Sequence, residues 1–138
     1  MYLLAIIIFL LVLFDLFYLY YFGNYFTSLI ENIQNSKLKI RYFAMIITYI
    51  LMAIAIRYII FDKHYLKYLD YKNIFYKGAL LGFVIYGIYD FTNLTTFDKW
   101  TLNASLFDTM WGSLLFGITS LITLFIINNK EKIPFLHL

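Results

Sequence analysis

Four apolar runs alternate with short polar connections along this chain of 138 residues. The first covers about 2–22 and is interrupted only by Asp15. The second, 41–61, holds Arg57 near its end. The third, 73–97, contains Asp90, and the fourth, 101–127, has Asp108 early and then no charge from Thr109 to Asn129. Each run approximates the ~20 residues that a helix needs to cross about 30 Å of hydrocarbon. Buried helices of a soluble bundle would carry polar faces, and no run has one. The pattern therefore predicts an all-α integral membrane bundle of four transmembrane helices, forming a single domain over 1–138. The first run lacks a basic leader and a small-residue cleavage site, so it reads as a retained helix. Asn24 to Lys39 reads as a polar loop. His64 to Tyr76 mixes Lys and Asp with Tyr, Leu and Ile, and fits either a short interfacial helix or an aromatic-rich loop.

Composition agrees with lipid as the solvent. The chain is 63% apolar and 14% charged, with a mean hydropathy of +0.77, too little charge to cover a soluble domain of this size. Its 14 Tyr and 15 Phe suit side chains at lipid and at the membrane interface. Without Cys there are no disulfides and no thiolate chemistry. The net charge of +3 is spread over the connections, with no basic block interleaved with stacking residues, which argues against nucleic acid as a partner. Seven Lys/Arg (Arg57, Lys63, Lys67, Lys72, Lys77, Lys130, Lys132) fall on the face holding both termini, against four (Lys37, Lys39, Arg41, Lys99) on the other. That bias places the N- and C-termini in the cytoplasm. Arg57 then sits at the boundary, where its stem lets the charge reach headgroups.

The acids change the picture most. At 1.5 Å rise per residue, Asp15 and Asp90 lie about 20 and 24 Å from the cytoplasmic ends of their spans, and Asp108 about 20 Å from the same face. Three carboxyls on three helices thus share one level. Acids inside a span avoid lipid and mark functional sites or helix contacts. On the third span Gly78, Gly82, Tyr86, Asp90 and Asn93 fall at spacings of four, four, four and three, so they form one stripe. Its Gly78-Ala-Leu-Leu-Gly82 part invites close helix approach, and Asn93 supplies donors and an acceptor. Thr92 and Thr96 can bond either helix carbonyls or the cluster. Asp108 and Gly112 repeat the theme on the fourth span, with Trp111 beside them. Trp100, in the turn between these spans, is expected at the interface with its N–H toward headgroups or the mouth of the site. Trp111 is expected to pack on the stripe of the third span, and Tyr89 of that span is a further supporting residue.

Three ionised carboxyls in one apolar space repel, so a proton, a cation or a buried donor must compensate. A hard divalent cation is chemically compatible. A transition-metal site has no support, because His64 and His137 both lie outside the spans. Serine nucleophile motifs, HExxH and glycine-rich nucleotide loops are absent, so no catalytic residue is assigned and no cofactor is specified. Two readings remain. The cluster binds a small polar solute, cation or proton, for transport or sensing. Alternatively it only holds the helices, or a partner helix, together in a structural or accessory protein. Partners are the lipid bilayer, that small ligand and a second copy in a homo-oligomer, since four short helices suit a tight pore or dimeric carrier.

These same residues carry a resemblance. Gly78-x3-Gly82, Tyr86-x2-Tyr-Asp-Phe-Thr-Asn93, Thr96-Phe-x2-Trp100, Asp108-x2-Trp-Gly112 and Asp15-Leu-Phe-Tyr-Leu19 resemble the motifs of the DUF2177 family of predicted membrane proteins. Tyr18 stands where that family usually has Trp, and Thr95 where it has Ala. The likeness covers the first, third and fourth spans. It implies four spans and this residue set, and it implies no activity.

Overall fold

Few residues in this chain can stop a helix, and the observed elements are long accordingly. The computed structural model describes residues 2–61 and 70–129. Its elements are α1 (Tyr2–Gln34), α2 (Tyr42–Ala55) running on into a π-helical turn (Ile56–Ile60), α3 (Tyr71–Thr96) and α4 (Leu102–Asn128). All four helices, with the π turn counted into α2, are long and apolar enough to cross a membrane. No strand occurs among the described residues. Asp70 caps α3 by accepting from the Asn73 N–H at 2.6 Å, and Thr101 caps α4 by accepting from Ala104 at 3.1 Å.

The first helix corrects the sequence reading. Asn24 to Lys39 is not all loop: α1 continues to Gln34 and ends at Asn35, whose φ of 51° is the left-handed stop that Asn tolerates. Phe26, Leu29, Ile30 and Ile33 form an apolar edge within that polar stretch, and they pack on Leu94, Trp100 and Ala104. At 33 residues the helix is about 50 Å long. Lys99 Nζ donates to the Asn32 carbonyl at 2.8 Å, tying the end of α1 to the α3–α4 turn. The Leu38 N–H donates to Glu31 Oε1 at 2.8 Å, so the chain doubles back along α1 before α2 begins. The proposed interfacial segment fares differently in its two parts. His64 to Leu69 lies outside the described residues, and Tyr71 to Tyr76 forms the first turns of α3.

The bundle is built inside out relative to a soluble protein. Its surface is apolar (Phe9, Phe17, Tyr20, Ile47, Leu80, Ile88), and its tightest interface is made of small and hydroxyl residues. Helix α4 carries that interface, with Ala104, Ser105, Thr109, Gly112, Gly117, Thr119, Ser120 and Thr123 buried along it. Lipid is as apolar as Leu, so close backbone approach and hydrogen bonds must hold such helices together. Helices α3 and α4 supply both and form by far the most extensive contact. A Cβ added at Gly82 would overlap the Gly112 carbonyl, and one at Gly78 would come 2.7 Å from the Phe116 carbonyl. Ser113 Oγ donates across the interface to the Ala79 carbonyl at 3.0 Å. Helix α2 is held differently: the backbone of residues 42–55 comes close to that of α1 alone, and the π turn reaches α1, α3 and α4. That wider turn aims Ile56, Ile60 and Phe61 together into a core shared with Ile74 and Leu124. Arg57 donates to the Phe61 carbonyl at 2.9 Å and lies over the Tyr58 ring, which makes it a helix-end residue.

Candidate functional site

The acids fall into two subsites. Asp15, at the middle of α1, accepts from Trp111 Nε1 of α4 at 2.8 Å and from the Tyr49 hydroxyl of α2 at 2.9 Å. One carboxylate thus joins three helices, with a donor on each oxygen. Tyr49 escaped the sequence reading, because nothing in the second run sets it apart from Tyr42 or Tyr58. Trp111 also departs from expectation: it turns from the α3 stripe toward α1 and stacks on Tyr18 at 4.7 Å, with the rings 3° from parallel. Tyr18 extends the aromatic contact along α1 to Phe22 and Phe26.

The second subsite pairs α3 with α4. Asp90 is fully buried, at 0% exposure, and faces the half-buried carboxyl of Asp108. Neither oxygen of Asp90 receives a hydrogen bond from a described donor. Two ionised carboxylates are acceptors only, so this pair is satisfied by a shared proton or a bound cation and by nothing else within it. The buried Tyr18 hydroxyl lies beside Asp108, yet outside good hydrogen-bond geometry. The Tyr18–Trp111 stack therefore stands between the subsites, its indole N–H on Asp15 and its phenol at Asp108. The three acids do not form one ligand set. No group of three acids or histidines among the described residues is placed to hold a metal ion.

The supporting residues divide likewise. Tyr86 is half-buried and presses its ring on Gly112, where any Cβ would collide with it, and meets Phe116 edge-on. Tyr89 is 56% exposed and edge-on to Trp100. Asn93 is half-buried farther along the same helix. Thr96 bonds the Thr92 carbonyl at 2.8 Å, the helix-carbonyl option of the two open to it, and Thr92 is exposed. Trp100 is buried, and of the two directions open to its N–H it takes the inward one, to Ser105 Oγ at 3.1 Å. Ser105 in turn donates to the Asp90 carbonyl at 3.2 Å, pinning the backbone of the acid. That serine gave no signal in the sequence, where it is one small residue among several.

Asp108 also lines a cavity of about 350 Å³, together with Thr48, Met52, Ile85, Tyr86 and Tyr89. The acid pair is thus buried on one side and reachable on the other.

No curated protein and no solved structure matches the chain. The model of a family described as "Predicted membrane protein (DUF2177)" matches residues 1–125. That match takes in all four helices except the last turn of α4, together with both acid subsites, and the chain belongs to the DUF2177 family of predicted membrane proteins.

Proposed function

We propose that this membrane protein binds a small cation, a proton or a small polar solute at the Asp90–Asp108 pair, for transport or sensing. One observation carries the reading: a fully buried carboxylate with no donor on either oxygen faces a second acid that lines a cavity. An unsatisfied buried charge is costly, and an occupant removes the cost. Asp15 supports the other role. With two donors on its oxygens it serves as glue between α1, α2 and α4, so holding and binding are divided between the two subsites.

A ligand that binds only the folded state stabilises it by mass action, by about 2.7 kcal/mol at 100 times its Kd. The test is the thermal unfolding of the detergent-purified chain against pH and against Na⁺, K⁺, Mg²⁺ and Ca²⁺. Wild type should gain stability as its occupant is added, whereas Asp90→Asn should stay folded and lose that response. A flat wild-type profile across pH 5 to 8 and across all four cations would sink the reading.

The orientation belongs to the same proposal. Four spans put both termini on one side, and the seven-to-four distribution of Lys and Arg favours the cytoplasm. A compartment-sensitive reporter fused after Leu138 should report a cytoplasmic position. An extracytoplasmic signal would invert the sidedness of the site.

A further inference from the structure

Helix α2 meets the α3–α4 pair closely at one end only. The backbone of residues 42–55 comes close to that of α1 alone, while the backbone of the π turn that follows is close to α1, α3 and α4. A helix held this way leaves a wedge beside it, and the 350 Å³ cavity is that wedge. Thr48 and Met52 are central in α2, and Ile85, Tyr86 and Tyr89 lie in the middle and second half of α3, so the mouth opens sideways between two spans. The flanking side chains, Leu51 at 60% and Ile88 at 66% exposure, are apolar. Lipid therefore borders the mouth.

The lining specifies a ligand. The cavity is lined by two tyrosines, a methionine, an isoleucine and a threonine, with Asp108 as its one charged residue and the donorless Asp90 facing that acid. An anion is repelled by Asp108, and a neutral solute leaves the charge of the acid pair uncompensated. A hydrated inorganic ion would meet mostly apolar wall. A positive nitrogen carried on an apolar body satisfies both: the acids take the charge, and the aromatic faces and thioether take the body.

We propose that the wedge between α2 and α3 is a binding site for an organic ammonium cation, which enters sideways with its nitrogen beside Asp108 and its apolar body against Met52, Ile85, Tyr86 and Tyr89. The proposal rests on the reading of the Asp90–Asp108 pair as an occupied site and names the class of occupant. A soluble amine and an amine-headed amphiphile share this chemistry.

The experiment is calorimetric titration of the full chain with phenethylammonium and with its neutral counterpart, phenethyl alcohol. The amine should bind saturably and the alcohol at least about tenfold more weakly, the size of one lost ionic contact. Asp108→Asn should cost the amine a similar factor. Thr48→Trp, at an exposed lining position, should block it by filling the mouth while leaving the packed interfaces untouched. Displacement of the bound amine by dodecylammonium carried in nanodisc lipid would support the amphiphile as source, and retention the soluble amine; either keeps the proposal. Equal affinity for the alcohol, or unchanged binding in Thr48→Trp, would overturn it. Absence of amine binding by a protein whose stability still responds to protons or inorganic cations through Asp90 would overturn it too, with the broader cation reading left standing. Absence of every response would remove both.

Discussion

Gly82→Val should produce the largest loss of stability of any single substitution in this bundle. Its first added carbon already overlaps the Gly112 carbonyl, which is backbone and has no rotamer to yield. The helices must separate, and every contact along the most extensive interface weakens with them. Overpacking costs about 1–3 kcal/mol in ordinary cores and occasionally more; here the upper end is expected. The reciprocal Gly112→Val should do the same through the Tyr86 ring. Gly23→Ala is the control, since its new Cβ would meet only the Leu19 Cβ at 3.9 Å. That change should stabilise slightly, by up to about 1 kcal/mol of helix propensity. Thermal unfolding in detergent ranks the three. Equal transitions for Gly82→Val and wild type would refute the close-packed α3–α4 interface.

Asp15→Leu should be the next most damaging change after the two glycine substitutions, and Asp15→Asn nearly silent. Leucine strands the Trp111 N–H and the Tyr49 hydroxyl in an apolar surround. Each orphaned donor costs about 1–3 kcal/mol, although partners found in the unfolded membrane state lower such figures, so a total of about 3 kcal/mol is expected. Asparagine can accept from Trp111 through its oxygen and donate to the Tyr49 hydroxyl, which accepts as readily as it donates. Double-variant cycles sharpen the test. Asp15→Leu should couple strongly to Trp111→Phe, because both break one bond, and only weakly to Asp90→Asn, which lies in the other subsite. The reverse pattern of couplings would mean that the acids form a single cluster.

The four helices and the level of the acids were legible because both depend on run length and rise per residue. The end of α1 was not. Phe26, Leu29, Ile30 and Ile33 are spaced as a helix edge, but the polar residues between them resemble a loop until Trp100 and Ala104 are known to cover that edge. Within the site, Asp15, Asp90 and Asp108 announced themselves as charges in apolar runs. Gly78 and Gly82 stood out by their spacing. What decides their roles was silent. Tyr49 and Ser105 are ordinary residues for a span, and their partners are 34 and 15 positions away. The face to which Trp111 turns depends on the rotation of α4 about its axis, which Gly112 sets by letting Tyr86 in. Periodicity gives the faces of a helix without saying which neighbour receives each.

The unequal grip on α2 bears on how the chain assembles. Helices α3 and α4 are consecutive, joined by five residues, and hold the closest contact. Such local contacts form early, so this hairpin can lock as a unit with the Asp90–Asp108 pair complete. The α1–α2 arm then docks onto it through the Tyr18–Trp111 stack, the Asp15 bonds and the π turn. Of these only the π turn brings the α2 backbone close to the hairpin, and Tyr49 is linked to it through Asp15 of α1. On that order of assembly the lateral cleft is the last seam to close.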